Sequence, residues 1–161
     1  MNTTPQFQYG LADRADFASK PGIEVLKAII SGEFPQPPIA QALTFWLVEV
    51  GEGFAAFEGQ SGYHLLNPSG GVHGGWGLTL IDSATGCAAF SLLPAGVGFT
   101  TVETKANFTR PITQDTGLVR CEGKVINQGR RIITTESTIT SAEGKLLAHG
   151  TSTIMVLESG K

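Results

Sequence analysis

Residues 74–92 read GGWGLTLIDSATGCAAFSL and close on Pro94-Ala95-Gly96, a run of helical length with no polar face. Leu78, Leu80, Ile81, Ala84, Cys87, Ala88, Ala89 and Phe90 go nearly all the way round it at helical spacing. A helix apolar on every side is a buried helix. Such a helix would be about 27 Å long, so the rest of the chain has to supply a layer broad enough to wrap it.

The flanking sequence reads as that layer. Downstream come four strand-like runs, roughly 99–109, 117–127, 131–140 and 145–157, separated by Pro111, by Asn127-Gln128-Gly129 and by Ala142-Glu143-Gly144. In the first run Val102, Ala106 and Phe108 are expected on the core face and Glu103, Lys105 and Asn107 on the other, the period-two pattern of a half-buried strand. Upstream, FWLVEV and FAAFEG flank Gly51-Glu52-Gly53 and predict a β-hairpin. One buried helix swaddled by a curved, mostly antiparallel sheet is an α+β arrangement, the hotdog architecture. Ahead of it, Ile23, Leu26, Ile29 and Ile30 repeat at helical spacing, and the proline-rich residues 33–41 predict an extended connector. The expected organisation is therefore an N-terminal arm with one short helix over 1–42 and a hotdog domain over 43–161.

With 161 residues, 41% hydrophobic and 16% charged, the chain has the size and composition of one globular domain. A net charge of −3 gives no basic field for a nucleic-acid backbone, so no nucleic-acid partner is expected. The polar opening Met-Asn-Thr-Thr-Pro-Gln is followed by no long apolar run, and no stretch is long enough to span a membrane; a cytoplasmic protein without a membrane partner is expected. Cys87 and Cys121 stand far apart and outside any CxxC pattern, which predicts packing residues, with neither disulfide nor metal.

Asp82 is the one ionisable group of the apolar helix. An unpartnered carboxylate there would cost several kcal/mol or favour its neutral form, an expense that suggests a purpose. Upstream, Asn67-Pro68-Ser69-Gly70-Gly71-Val72-His73-Gly74-Gly75 leads into the helix N-terminus, where free backbone N–H groups and the positive end of the dipole suit the oxyanion of an attacked thioester.

The pattern N-x5-HGG-x6-D formed by Asn67, His73-Gly74-Gly75 and Asp82 resembles the phenylacetate-pathway (PaaI-like) type of hotdog acyl-CoA thioesterases. The resemblance runs from about residue 43 to 157. It takes in Gly98 through Glu103, Asn107 through Pro111, Gly129-Arg130-Arg131 and Gly144 through Thr151. It implies hydrolysis of an acyl-CoA to free acid and coenzyme A, with Asp82 as general base or as the nucleophile of a mixed anhydride. Gly74 would donate its N–H to the thioester carbonyl, Asn67 and His73 would orient the carbonyl and the loop, and Thr101 would help hold the attacking water. Gly75 is expected beside the substrate and Trp76 either in the core or as a wall of the acyl pocket, while Arg110, Arg130 and Arg131 could meet the coenzyme phosphates. No cofactor is implied, because coenzyme A is part of the substrate. Gly74 and Asp82 are separated by about 12 Å along one helix axis, so a dimer or tetramer with sites shared between copies is expected. The competing readings are a hotdog acyl-thioester hydratase or dehydratase and a non-catalytic acyl-CoA-binding protein.

Overall fold

The computed structural model describes residues 6–157. Helices α1 (Arg14–Ser19), α2 (Gly22–Ser31) and α3 (Pro38–Ala42) precede a hairpin of β1 (Phe45–Gly51) and β2 (Phe54–Gln60). The long helix α4 (Gly74–Phe90) follows, and then β3 (Gly98–Phe108), β4 (Leu118–Gln128), β5 (Ile132–Ser141) and β6 (Leu146–Leu157). The six strands form one antiparallel sheet in the order β1-β2-β4-β5-β6-β3. Helix α4 touches all six of them. This is the expected hotdog architecture, and each expected strand lies within a residue or two of its place.

The close approach of helix to sheet has a local cause. A Cβ at Gly123 of β4 would fall on the backbone carbonyl of Ala84, whereas one at Gly150 of β6 would meet the Lys105 carbonyl of β3 first and the Ile81 side chain next. Glycine at position 123 lets the helix backbone sink into the concave face, where Leu80, Ile81, Ala84 and Ala88 are sealed from solvent with Val119, Ile133, Ile139 and Ile154.

Three expectations need correction. The arm carries three helices rather than one. Asp13 starts α1 by accepting from the Ala15 and Asp16 amides at 2.8 and 3.2 Å. Residues 33–41 are not simply extended, since Pro38 occupies the first turn of α3, where its missing N–H costs nothing. The arm also belongs to the common core: Val25, Leu26, Ala28, Phe34 and Ala40 are buried in one cluster with α4 and the sheet. Buried Gln36 pairs through its side-chain amide with both backbone polar groups of Leu47, shielding that stretch of the β1 edge.

The third correction concerns β3. Its pairing with β6 slips by one residue between Thr101 and Glu103, so Val102 sits at a bulge and is 53% exposed instead of facing the core. Thr101, Thr104 and Ala106 are half-buried on the side towards α4, and Phe108 lies over the glycines at the start of that helix. β3 is also an 11-residue edge strand with no partner on its outer side among the described residues.

Candidate active site

Asp82 stands near the middle of α4, half-buried on the side that faces β3. Its Oδ1 accepts a hydrogen bond from Thr104 Oγ1 at 3.2 Å. Thr104 Oγ1 lies 3.0 Å from Ser152 Oγ, and Thr85 Oγ1 donates to Ser152 Oγ at 2.8 Å. An ionised carboxylate only accepts, so the Thr104 proton is committed to Asp82 and Ser152 has to be the donor in the middle bond. The protons therefore run from Ser152 to Thr104 to Asp82, while the single Thr85 proton is shared between Ser152 and the Ile81 carbonyl, also at 2.8 Å. Each bond polarises the next towards the carboxylate.

The carboxylate opens into a cavity of about 390 Å³ shared with Ile39, Leu78, Thr79, Thr101 and Thr104. The structure thus brings together Asp82 and Thr101 of the expected residues. It adds Thr104, Ser152 and Thr85, which sequence reasoning missed. Strict alternation would put Thr101 and Thr104 on opposite faces of β3; the bulge at Val102 turns both into one cavity.

The remaining expected residues lie at a distance from Asp82 within the chain. His73 is the N-cap of α4, its Nδ1 accepting from the Gly75 amide at 2.9 Å, which places the ring proton of a neutral imidazole on Nε2. The Gly75 donor is thereby used. The Gly74 N–H, first of the helix, has no acceptor among the described residues. Asn67 folds its loop instead of pointing away from it: Oδ1 accepts from the Ser69 amide and hydroxyl and from the Gly71 amide, at 3.0, 2.7 and 3.2 Å. Trp76 is taken up by the core, 3% exposed, with Nε1 donating to the Leu43 carbonyl at 2.8 Å.

The arginines do not converge. Arg110 is at the N-terminal end of α4, its Nη1 donating to the Leu146 carbonyl at 2.7 Å. Arg130 and Arg131 are exposed at the β4–β5 turn, where Arg130 lines a depression with Leu92, Leu93 and Pro94 beyond the other end of that helix. Neither has an ion-pair partner among the described residues. No described helix is long and apolar enough to cross a membrane.

Comparison with known proteins agrees with this fold. The sequence profile of the thioesterase superfamily matches residues 69–148, a span that includes Asp82 and the loop before α4 from Ser69 onward. A conserved protein of Pseudomonas aeruginosa is 31% identical over 74% of this chain and 94% of its own, with a TM-score of 0.69. A phenylacetic acid degradation-related protein of Ralstonia eutropha is 26% identical over 81% of this chain and 98% of its own, with a TM-score of 0.73. The PaaI protein of E. coli shares the fold at 23% identity and a TM-score of 0.68, over 75% of this chain and 85% of its own. No curated protein matches the chain in sequence. A helix-wrapping antiparallel sheet, a carboxylate midway along its buried helix, and these likenesses in sequence and fold lead to one assignment: the chain belongs to the thioesterase superfamily and is a thioester hydrolase.

Proposed function

We propose that the chain hydrolyses acyl-CoA thioesters with Asp82 as the reacting carboxylate, either drawing a proton from water as it attacks the carbonyl or attacking the carbonyl itself. The single observation that carries this reading is the chain of hydroxyl donors ending on Asp82 where it meets an open cavity. Thr101 would hold the attacking water, a role that its place in the lining of the same cavity supports.

The oxyanion needs a donor, and the unused Gly74 N–H at the positive end of α4 has the right character. It is about 12 Å along the axis from Asp82 of the same helix. A second copy with its α4 antiparallel would bring its Gly74 to the first copy's Asp82, and the open edge of β3 beside the cavity is the natural seam. His73 and Asn67 then serve by shaping the loop that presents Gly74. The unpaired guanidinium groups of Arg130 and Arg131 suit the phosphates of coenzyme A.

Asp82→Asn keeps the side-chain shape and removes the base. It is expected to fold, to bind acyl-CoA and to lose at least about a hundredfold in kcat, with free thiol release from a panel of acyl-CoAs as the measurement. Near-normal turnover by the variant would exclude Asp82 from the chemistry.

A further inference from the structure

Ala148, Gly150, Ser152 and Ile154 alternate along the buried face of β6, and Ser152 is the one polar side chain among them, 2% exposed. A hydroxyl in such a place costs free energy unless its bonding capacity is used. Here it is used on both sides: Oγ donates to Thr104 Oγ1 at 3.0 Å and accepts from Thr85 Oγ1 at 2.8 Å. The carbonyl of the same residue accepts from Thr135 Oγ1 at 3.1 Å. Thr104 of β3 and Thr135 of β5 are the direct cross-strand partners of Ser152, so three hydroxyl residues stand in a row across the sheet. Packing alone asks for no hydroxyl at position 152.

Thr104 is the member of the row that needs support. It stands beside the slip between Thr101 and Glu103, where the ladder to β6 is interrupted, and β3 has no partner on its outer side among the described residues. Having given its proton to Asp82, the Thr104 hydroxyl retains lone pairs, and Ser152 donates to one of them. A hydroxyl held from both sides is kept from turning away from the carboxylate, and the bond it accepts strengthens the bond it donates. No proton passes further along the chain. Thr85 turns back on the Ile81 carbonyl of its own helix, and neither Thr85 nor Ser152 bonds to an acidic or basic side chain. What the chain delivers to Asp82 is orientation and polarisation.

Taking Asp82 as the reacting carboxylate, we propose that Ser152 is a positioning residue for hydrolysis, acting on Asp82 through Thr104. Ser152 is absent from the lining of the Asp82 cavity, so its replacement leaves the surroundings of the substrate as they are. Its effect therefore falls on kcat, with KM preserved.

The test is a double-mutant cycle at positions 104 and 152, with hydrolysis of the acyl-CoA that wild type turns over fastest followed by thiol release. Ser152→Ala is expected to lower kcat by at least about threefold and to leave KM within about twofold of wild type. In a Thr104→Val background the same substitution should lower kcat further by no more than about 1.5-fold, because the residue it acts through is already disabled. A side chain that only packs would give the same loss in both backgrounds. Melting curves establish that each variant is folded; should Ser152→Ala not fold, Ser152→Cys, a weaker donor of similar size, takes its place in the cycle. A smaller loss from the single variant, a loss that appears in KM, or a loss that persists in the Thr104→Val background each overturns the role of Ser152, while an inactive Asp82→Asn leaves the reading of Asp82 standing. Normal turnover by Asp82→Asn, or no acyl-CoA hydrolysis by wild type, overturns the reading of Asp82 and the role of Ser152 with it.

Discussion

Thr104 is the residue through which the sheet acts on the carboxylate. Its hydroxyl fixes one oxygen of Asp82 and is itself fed by Ser152, so a side chain on α4 is oriented by two strands. Thr104→Val keeps the shape and removes the donor. A hydrogen bond to a charged group contributes about 1.5–3 kcal/mol, so kcat is expected to fall by about tenfold or more, with KM little changed. Thr104→Ser retains the hydroxyl and should restore most of the loss, an outcome that a purely steric role for the methyl group would not give. Asp82 stood out in the sequence as a charge in an apolar helix, and Thr101, which lines the same cavity, was reached only through the family resemblance. Thr104 was not, because a bulge leaves no mark on the pattern of residue types until the neighbouring strand fixes the register.

Between elements, the contact that sets the depth of the site is the crossing of α4 over β4. With a Cβ at Gly123 the nearest obstacle is the Ala84 carbonyl, which is backbone of a fully hydrogen-bonded helix and cannot swing aside as a side-chain tip could. Gly123→Ala is therefore expected to destabilise the fold by about 1–3 kcal/mol or more, read as a lower urea midpoint. Gly51→Ala, which meets nothing nearer than the Phe54 Cβ at 3.8 Å, should stay within about 0.5 kcal/mol of wild type. If both variants unfolded alike, intimate helix-to-sheet packing at Gly123 would not be the reason for a glycine there. The long elements were readable from their periodicity, since eleven-residue strands and a seventeen-residue helix repeat their signal several times. Helices as short as the six residues of α1 and the five of α3 repeat it hardly more than once, and only their caps betray them.

For the molecule as a whole, the separation of Gly74 from Asp82 along α4 predicts sites completed by a second copy. Position 74 is the first of the helix, and His73 before it has the extended backbone that a following proline requires, so Gly74→Pro removes the N–H while leaving the helix a permitted start. Neither the Gly74→Pro nor the Asp82→Ala homodimer should hydrolyse thioester. Unfolded and refolded together in equal amounts, they should give about half mixed dimers, each with one intact site, and roughly a quarter of wild-type activity. Mixed dimers that form without recovering activity would place the donor and the base in the same chain. The amino-acid sequence by itself determined the class of fold and the spans of the six strands and of α4, and it singled out Asp82 as a charge in an apolar helix, because hydrophobic period and an isolated charge are properties of neighbours along the chain. The tertiary structure alone decided the hydroxyl chain on Asp82, the loss of Trp76 to the core, and the separation of Arg110 from Arg130 and Arg131. Each of these joins residues far apart in sequence, and their meeting depends on strand register and on how closely glycine lets backbones approach.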